Sequence, residues 1–328
     1  MTTMKLSRRR LHHLTAGALA LAAVLGLAWA QAYPERPVRI LVGYAPGGGN
    51  DIAARLIGQW LSERLGQSFV VENRPGAAGN IATEATVHAP ADGYTLLLVS
   101  LANATNATLY DKLNYNFIRD IAPIGGIVRV ANVMLINPAV PANTVPEFIA
   151  YAKTNPGNVN MGSGPTGGPV HMVGSLFNIM TGLKIQHVPY RGEALALTDL
   201  IAGQVQVVFG SIPASIQYVR AGKLRALAVT TTTRAEALPD LPIVADFVPG
   251  YEASTWYGIG APRNTPTQII ELLNREINAG LGDPALRTRL AELGGVAIGG
   301  SPGDLGKLIA EETEKWSKVI LAANIKPE

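Results

Sequence analysis

Hydrophobic and polar positions along the chain follow two periods, one typical of buried strands and one typical of amphipathic helices. "RPVRILVGY" (36–44) has apolar residues at alternate positions, which predicts a strand. "DIAARLIGQWLSERLG" (51–66) has them at helical spacing and stops at Gly66, which predicts a helix. A strand at "SFVVENR", a helix at "IATEATVHA" and a strand at "GYTLLLVS" (93–100) follow. This β-α-β-α-β order is typical of a parallel sheet with helices on its faces.

The same order returns later in the chain. "VANVMLINP" (130–138) predicts a strand, and helices and strands then alternate as far as "LRALAVTT". "PGYEASTWYGIGAP" (249–262) predicts an extended crossover back to the first sheet. Three helical segments without strands of their own follow and would cover that sheet; they are 266–281, 284–293 and 302–323.

These patterns predict two α/β lobes joined by two crossovers, near residues 131 and 254. The first lobe would contain residues 33–131 and 255–328, and the second would contain residues 132–254.

Residues 1–30 have the pattern of a signal peptide. A basic start, "MKLSRRRLHHL", precedes the apolar run "LTAGALALAAVLGLAWA", which is short for a membrane span. Small residues predict cleavage near Ala30 or Ala32, whereas an uncleaved anchor is the alternative. "SRRRL" leaves both general and twin-arginine export open. We therefore expect a periplasmic protein.

Export changes the charge argument. The chain has 27 basic and 24 acidic residues, and four of the basic ones lie in the predicted signal peptide. The remainder is nearly neutral, so the basicity is no sign of nucleic-acid binding. Cysteine is absent, which excludes disulfides, thiol nucleophiles and thiolate metal sites.

Five loops at predicted carboxyl ends of strands share one chemistry. They are rich in Gly, Ser, Thr and Asn and poor in charge: "APGGGND", "SLANATNAT", "GSGPTGGPV", "YRGEA" and "GSIPAS". Ligands of open α/β sheets bind at this edge, and amides at helix starts attract anions. Ordinary turn chemistry is the alternative for any single loop. Together the loops predict a site for a small carboxylate.

Catalysis and nucleotide binding fit the sequence poorly. The triple glycine lacks the lysine of a P-loop. After the signal peptide the histidines are His88, His171 and His187, and their spacing is not that of metal ligands. We expect His88 at the surface, His187 packed in a strand and His171 in a structural hydrogen bond. Ser211 is not in a GxSxG turn, and no base is identified near any serine. The prediction is no enzyme, no metal and no cofactor.

Two charged residues have competing interpretations. Arg191 has the geometry to clamp a carboxylate, or else it forms an ion pair with Glu193 or another contact within its lobe. Asp51 either faces the cleft and binds an amino group or caps the following helix, and capping is favoured.

Stretches along nearly the whole mature chain carry a family resemblance. They include "YPERPVRILVGYAPGGGNDIAARL", "LGQSFVVENRPGAAGNIATE", "ADGYTLLLVS", "NPGNVNMGSGPTGGPVHMVGSLF", "HVPYRGEALALTDLIAGQVQVVF" and "WYGIGAP". With these, the chain resembles the substrate-binding receptors of the tripartite tricarboxylate transporters, the Bug family.

The resemblance implies a type II-like periplasmic binding protein, a Venus flytrap whose lobes are each a mostly parallel sheet flanked by helices. It implies a monomer that closes on a di- or tricarboxylate, an aromatic acid or an acidic amino acid. The ligand would pass to a large and a small membrane subunit. An exported hydrolase using a cleft serine, or a receptor for a sensor kinase, is the alternative.

The resemblance also implies a site in which the loop 46–51 and a facing loop hold a carboxylate through backbone amides and water. Asn50 departs from the Thr or Ser more usual in the family, so we expect ligand choice to shift. The predicted ligand-binding residues are Ala45, Gly47, Gly48, Gly49, Asn50, Asp51, Ser100, Asn103, Ser163, Thr166, Gly167, Arg191, Gly192 and Ser211.

Overall fold

Ten strands form one curled sheet in the computed structural model, which describes residues 33–110, 112–292 and 294–327. The strands are β1 (Val38–Val42), β2 (Phe69–Asn73), β3 (Thr95–Ser100), β4 (Ile121–Ile136), β5 (Asn160–Ser163), β6 (Gln186–Pro189), β7 (Val207–Ser211), β8 (Arg225–Val229), β9 (Ser254–Pro262) and β10 (Gly295–Ala297).

Helices follow most of these strands. They are α1 (Gly49–Leu65), α2 (Asn80–Val87), α3 (Leu101–Leu109), α4 (Phe117–Asp120), α5 (Val145–Thr154), α6 (Pro169–Thr181), α7 (Glu193–Ile201), α8 (Ile212–Arg220), α9 (Thr267–Gly282), α10 (Pro284–Glu292) and α11 (Pro302–Ala322).

The pairing of the sheet is mixed. Along the main path the order is β2-β1-β3-β9-β4-β7-β5-β6, with β8 and β10 also paired to β4. β1 is parallel to β2 and β3, and β5 is parallel to β6 and β7. β4 and β9 are antiparallel to all their neighbours. The predicted α/β class is confirmed. The parallel pairs join β1 to β2 and β3, and β5 to β6 and β7, whereas β4 and β9 form antiparallel pairs only.

The strand β4 changes partners at its middle. It pairs with β9 as far as Ala131 and with β7 from Asn132 onward. The Asn132 side chain accepts a hydrogen bond from the Thr255 hydroxyl at 2.8 Å and donates one to the Phe209 carbonyl at 3.1 Å. We call β1, β2, β3, β9, β10 and β4 up to Ala131 the first half of the sheet, and β5 to β8 with the rest of β4 the second half. The lobe boundaries predicted from the sequence stay a prediction.

Three elements differ from the sequence-based expectations. The strand predicted at 130–138 begins much earlier, because its first part, which contains Pro123, Gly125 and Gly126, pairs with β9 through irregular register shifts. The segment expected as a crossover at 249–262 forms β9, a central strand. The prediction that the terminal helices lack a strand is wrong, because β10 lies between two of them and pairs with β4.

The helix α1 shows why these sequences form these elements. It begins at Gly49, two residues before the prediction, and its Leu56, Ile57 and Leu61 are buried against the sheet. The predicted stop at Gly66 is confirmed. Gly66 adopts the left-handed conformation (φ 69°) and donates its N–H to the Ser62 carbonyl, as helix-ending glycines do.

One apolar cluster runs through both halves of the sheet. It includes Leu97, Met134, Phe209 and the fully buried Trp256 and Trp316. Packing of this kind holds the loops at the strand ends in fixed positions.

None of the helices that the structure describes has both the length and the apolar character needed to cross a membrane. The predicted signal peptide, residues 1–30, lies outside the described residues.

Candidate functional site

Four of the five predicted loops meet at a narrow cleft. These are the loops after β1, β5, β6 and β7, and β9 closes the cleft from one side. The cleft is lined by Tyr44, Ala45, Gly48, Gly49, Asn50, Gly164, Gly168, Pro169, Val170, Gly192, Glu193, Ser211, Thr255 and Tyr257. The site therefore lies beyond the carboxyl ends of parallel strands, where ligands of α/β sheets bind.

The loop after β1 is held from behind by Asp51. This buried carboxylate accepts hydrogen bonds from the Gly47 N–H at 3.1 Å, from Arg55 Nε at 2.9 Å and from Asn73 Nδ2 at 3.0 Å. Burial opposes ionisation of Asp51, but the bonds from Arg55, Gly47 and Asn73 outweigh it and lower the pKa of the carboxyl. Asp51 thus anchors the loop and does not line the cleft. The N-cap of α1 is Gly48, which has no side-chain cap, so the capping role favoured from the sequence is not the one that Asp51 has.

Two glycines of this loop are required by its geometry. Gly47 has φ 87°, a conformation that side chains disfavour. A Cβ added at Gly49 would lie 2.5 Å from the Tyr257 hydroxyl and 3.0 Å from Ser211 Oγ. Glycine at this position lets the start of α1 approach the opposite wall of the cleft.

The loop after β5 is held by His171. The Gly167 N–H donates to His171 Nδ1 at 3.0 Å, and the Thr105 hydroxyl donates to the Gly167 carbonyl at 2.8 Å. The His171 ring stacks on His187 with centroids 3.8 Å apart. Burial, together with the neighbouring His187, lowers the pKa of His171 to about 3. His171 is therefore neutral and forms the structural hydrogen bond that the sequence predicts.

Ser163 has a histidine beside it, so the expectation of no base near any serine is wrong. Strand β6 runs next to β5 and brings His187 Nε2 to 2.6 Å from Ser163 Oγ. The Ser163 Oγ also lies 2.8 Å from the Gly164 carbonyl, and the direction of the bond with His187 depends on the tautomer of the imidazole. Ser163 is fully buried and does not line the cleft.

Glu193 is the carboxyl group of the cleft. It opens α7, directly after Gly192, and its carboxyl oxygens lie 2.8 and 3.0 Å from Ser211 Oγ. The N–H groups of Ser211 and Gly49 also donate to it. Burial raises the pKa of Glu193 to about 7, although the bonds from Ser211 and Gly49 act in the opposite direction. The carboxyl is thus engaged with Ser211 and not with Arg191, which is exposed.

The structure brings part of the predicted site together. Six of the predicted residues line the cleft: Ala45, Gly48, Gly49, Asn50, Gly192 and Ser211. Five belong to or adjoin the loops of the cleft but lie outside its lining: Gly47, Asp51, Ser163, Thr166 and Gly167. Ser100 and Asn103 form the cap of α3 instead, where the Ser100 N–H donates to Asn103 Oδ1 at 2.8 Å. Arg191 also lies outside the lining.

Eight lining residues were not predicted from the sequence: Tyr44, Gly164, Gly168, Pro169, Val170, Glu193, Thr255 and Tyr257. Gly164, Gly168 and Pro169 lie inside a loop that the sequence did single out. Tyr257 and Thr255 belong to the buried strand β9. Polar residues within such a strand could have indicated that its side chains line a binding site. In the described part of the chain, no group of three or more His, Asp or Glu side chains is placed to hold a metal.

Comparison with known proteins connects this geometry to a family. The profile described as "Tripartite tricarboxylate transporter family receptor" matches residues 53–325. The chain belongs to that family. Protein BugT of Bordetella pertussis is 35% identical over 294 residues, which cover 89% of this chain and 90% of BugT. The receptors of this family are periplasmic and bind solutes for tripartite transporters, and this chain is such a receptor.

Two solved structures are similar over the whole fold. R. palustris Rpa4515 with adipate is 39% identical with a TM-score of 0.86, covering 90% of this chain and 100% of that one. MatC from Rhodopseudomonas palustris with bound malate is 30% identical with a TM-score of 0.83, covering 88% of this chain and 100% of that one. The predicted family and the two-lobe periplasmic binding-protein fold are confirmed.

Proposed function

We propose that this receptor binds a small carboxylate in the cleft between residues 33–131 with 255–328 and residues 132–254, and performs no catalysis on it. As a monomer released from its signal peptide, it would deliver the ligand to a large and a small membrane subunit. The observation that carries the proposal is the cleft itself, where glycine-rich backbone and helix starts from both halves of the sheet converge. Helix starts favour anionic groups.

The ligands of two related receptors support the carboxylate class. Adipate and malate, named with Rpa4515 and MatC, are both small dicarboxylates. The described lining also carries the polar side chains of Asn50, Ser211, Thr255 and Tyr257, which can hydrogen-bond the oxygens of a dicarboxylate.

The serines of the site support binding over hydrolysis. Ser163, which contacts His187, is fully buried and does not line the cleft. Ser211 lines the cleft, but its hydroxyl partner is the carboxyl of Glu193 and not an imidazole. Neither arrangement therefore places an imidazole against a hydroxyl that lines the cleft, as a Ser-His site requires.

The proposal is tested at Gly48. We expect wild-type protein to be stabilised against heat by at least one acid in a panel containing adipate and malate. A Cβ at Gly48 meets only the Glu193 Cβ at 3.9 Å, so Gly48→Ala leaves space for the fold. Gly48→Asp adds a negative charge at the proposed anion site and abolishes the ligand-induced shift.

Gly282→Asp is the matched control, because Gly282 is exposed and nothing surrounds the position of its Cβ. It keeps the full shift. The proposal fails if no acid in the panel stabilises the wild type, or if Gly48→Asp responds like Gly282→Asp.

A further inference from the structure

The amide site predicted from the sequence already contains a carboxyl group, and that group belongs to the protein. Glu193 receives the N–H of Gly49 at the start of α1 and the N–H and hydroxyl of Ser211 just before α8. Donors from both halves of the sheet therefore hold Glu193 in the way that the sequence predicts for a ligand. Because these donors are engaged, a ligand occupies the rest of the cleft beside Glu193 and not its place.

No positive side chain compensates Glu193 in the cleft. Among the described residues that line it, Glu193 is the single carboxyl group, and lysine and arginine are absent. Tyr257 of β9 faces Glu193, Tyr44 of the loop after β1 lines the same cleft, and burial raises the pKa of both hydroxyls far above neutral. Asp51 on α1 is engaged with Arg55, and Arg191 is exposed.

A ligand carboxylate would therefore lie beside the carboxylate of Glu193, and both groups are negatively charged in a largely buried cleft. Two like charges at close range in such a place repel strongly, and protonation of one of them removes the repulsion. Glu193 is the group that accepts a proton most readily, because burial already raises its pKa to about 7.

We propose that Glu193 couples ligand binding to proton uptake: its carboxyl group holds the amide site shared by α1 and α8, and a carboxylate ligand binds beside it together with one proton that Glu193 takes up from solvent. The proton adds to one Glu193 oxygen, which then donates to Ser211 Oγ at the 2.8 Å contact. The other oxygen keeps the backbone N–H groups. The Ser211 hydroxyl proton turns from Glu193 toward the cleft, where it can bond the ligand. The inference rests on the proposed function.

The first experiment measures protons. Adipate, with malate as a second probe, is titrated calorimetrically into wild-type protein at pH 8 in two buffers of different ionisation enthalpy. We expect uptake of about one proton per bound ligand. Above pH 7 the apparent Kd rises by about tenfold per pH unit, because the protonated form becomes scarce.

Glu193→Gln tests the residue. The amide keeps the size and an acceptor oxygen for the Ser211 and Gly49 N–H groups but carries no charge. We expect binding without proton uptake, a Kd that does not change between pH 6 and 9, and a gain in affinity of about tenfold over wild type at pH 8. Glu63→Gln, at an exposed carboxylate of α1, is the matched control and behaves as wild type.

A carbon-13 NMR titration of the Glu193 carboxyl in ligand-free protein gives a second reading that needs no ligand. Titration near pH 7 supports the inference, and titration near 4.5 overturns it. Binding of adipate or malate with no proton uptake and no pH dependence overturns it as well, while the proposed function stands. Failure of every acid in the thermal panel removes the proposed function itself.

Discussion

The loops after β1 and β5 share one backbone plan and are anchored by different side chains. In each, a glycine with positive φ precedes an extended N-cap glycine that opens a helix: Gly47 with φ 87° before Gly48, and Gly167 with φ 79° before Gly168. In each, the first glycine donates its N–H to the side chain four residues later.

That side chain is Asp51 in one loop and His171 in the other. Asp51 is ionised and paired with Arg55, whereas His171 is a neutral ring stacked on His187. The comparison teaches that the turn needs only an acceptor at this position. The chemistry of the acceptor then decides how each loop responds to acid and salt, while the side chains around the first glycine decide how it responds to packing changes.

The largest difference between the loops is expected from alanine at the two positive-φ glycines. At Gly167 a Cβ would collide with the buried Leu109 side chain, while at Gly47 the nearest atom is Ala194 Cβ at 4.0 Å. Left-handed backbone and overpacking together should lower the unfolding free energy of Gly167→Ala by about 4 kcal/mol. Gly47→Ala should lose about 1 kcal/mol from backbone strain alone. Urea unfolding measures both, and equal losses would show that the loops do not differ in packing.

Acid should weaken the histidine-anchored loop selectively. Burial lowers the pKa of folded His171 to about 3, against an ordinary value of 6.5. The unfolded chain therefore binds the extra proton between these values, and stability falls as pH falls below 6.5. The expected contribution is about 1.4 kcal/mol per pH unit, or about 3 kcal/mol between pH 6.5 and 4.

His171→Gln, which keeps an acceptor for Gly167, should flatten the pH dependence of the unfolding free energy by this amount. The exposed His88→Gln is its control and should leave the slope unchanged. An unaltered slope in His171→Gln would contradict a neutral, buried imidazole.

The smallest effect is expected from removing the charge of Asp51. Asp51→Asn keeps an oxygen for the Gly47 N–H and loses the ion pair with Arg55, whose side chain is 53% exposed. An exposed partner limits the pair to about 1 kcal/mol. The loss, measured by urea unfolding, should shrink in high salt because exposed ion pairs are screened. A salt-independent loss would point to the Gly47 bond instead.

Local sequence signals were enough for most of the fold. The strand β1 and the helix α1 have strong periods, and Gly66 marks the helix end. The first part of β4 was missed because Pro123 and the glycines after it break the alternation, and only pairing with β9 makes this segment a strand. The strand β10 was missed for the same reason, because only its pairing with β4 makes these three residues a strand.

The site was predictable in place but not in detail. Loop positions follow from the order of strands and helices, so the cleft could be located from the sequence. The role of Glu193 could not, because it depends on Ser211 and Gly49 arriving from other elements. The pairing of Ser163 with His187 likewise depends on two strands lying side by side. The sequence favoured Asp51 as a helix cap, whereas its side chain bonds Gly47, Arg55 and Asn73 and anchors the loop.

The joint at Asn132 has a mechanical consequence. The chain passes from one half of the sheet to the other inside an unbroken strand, and the Asn132 side chain is bonded on both sides. Any change of angle between the two halves at this point must bend a continuous strand, because no loop interrupts β4 there. Bending of β4 at this point is therefore resisted by its pairing with β9 on one side of Asn132 and with β7 on the other.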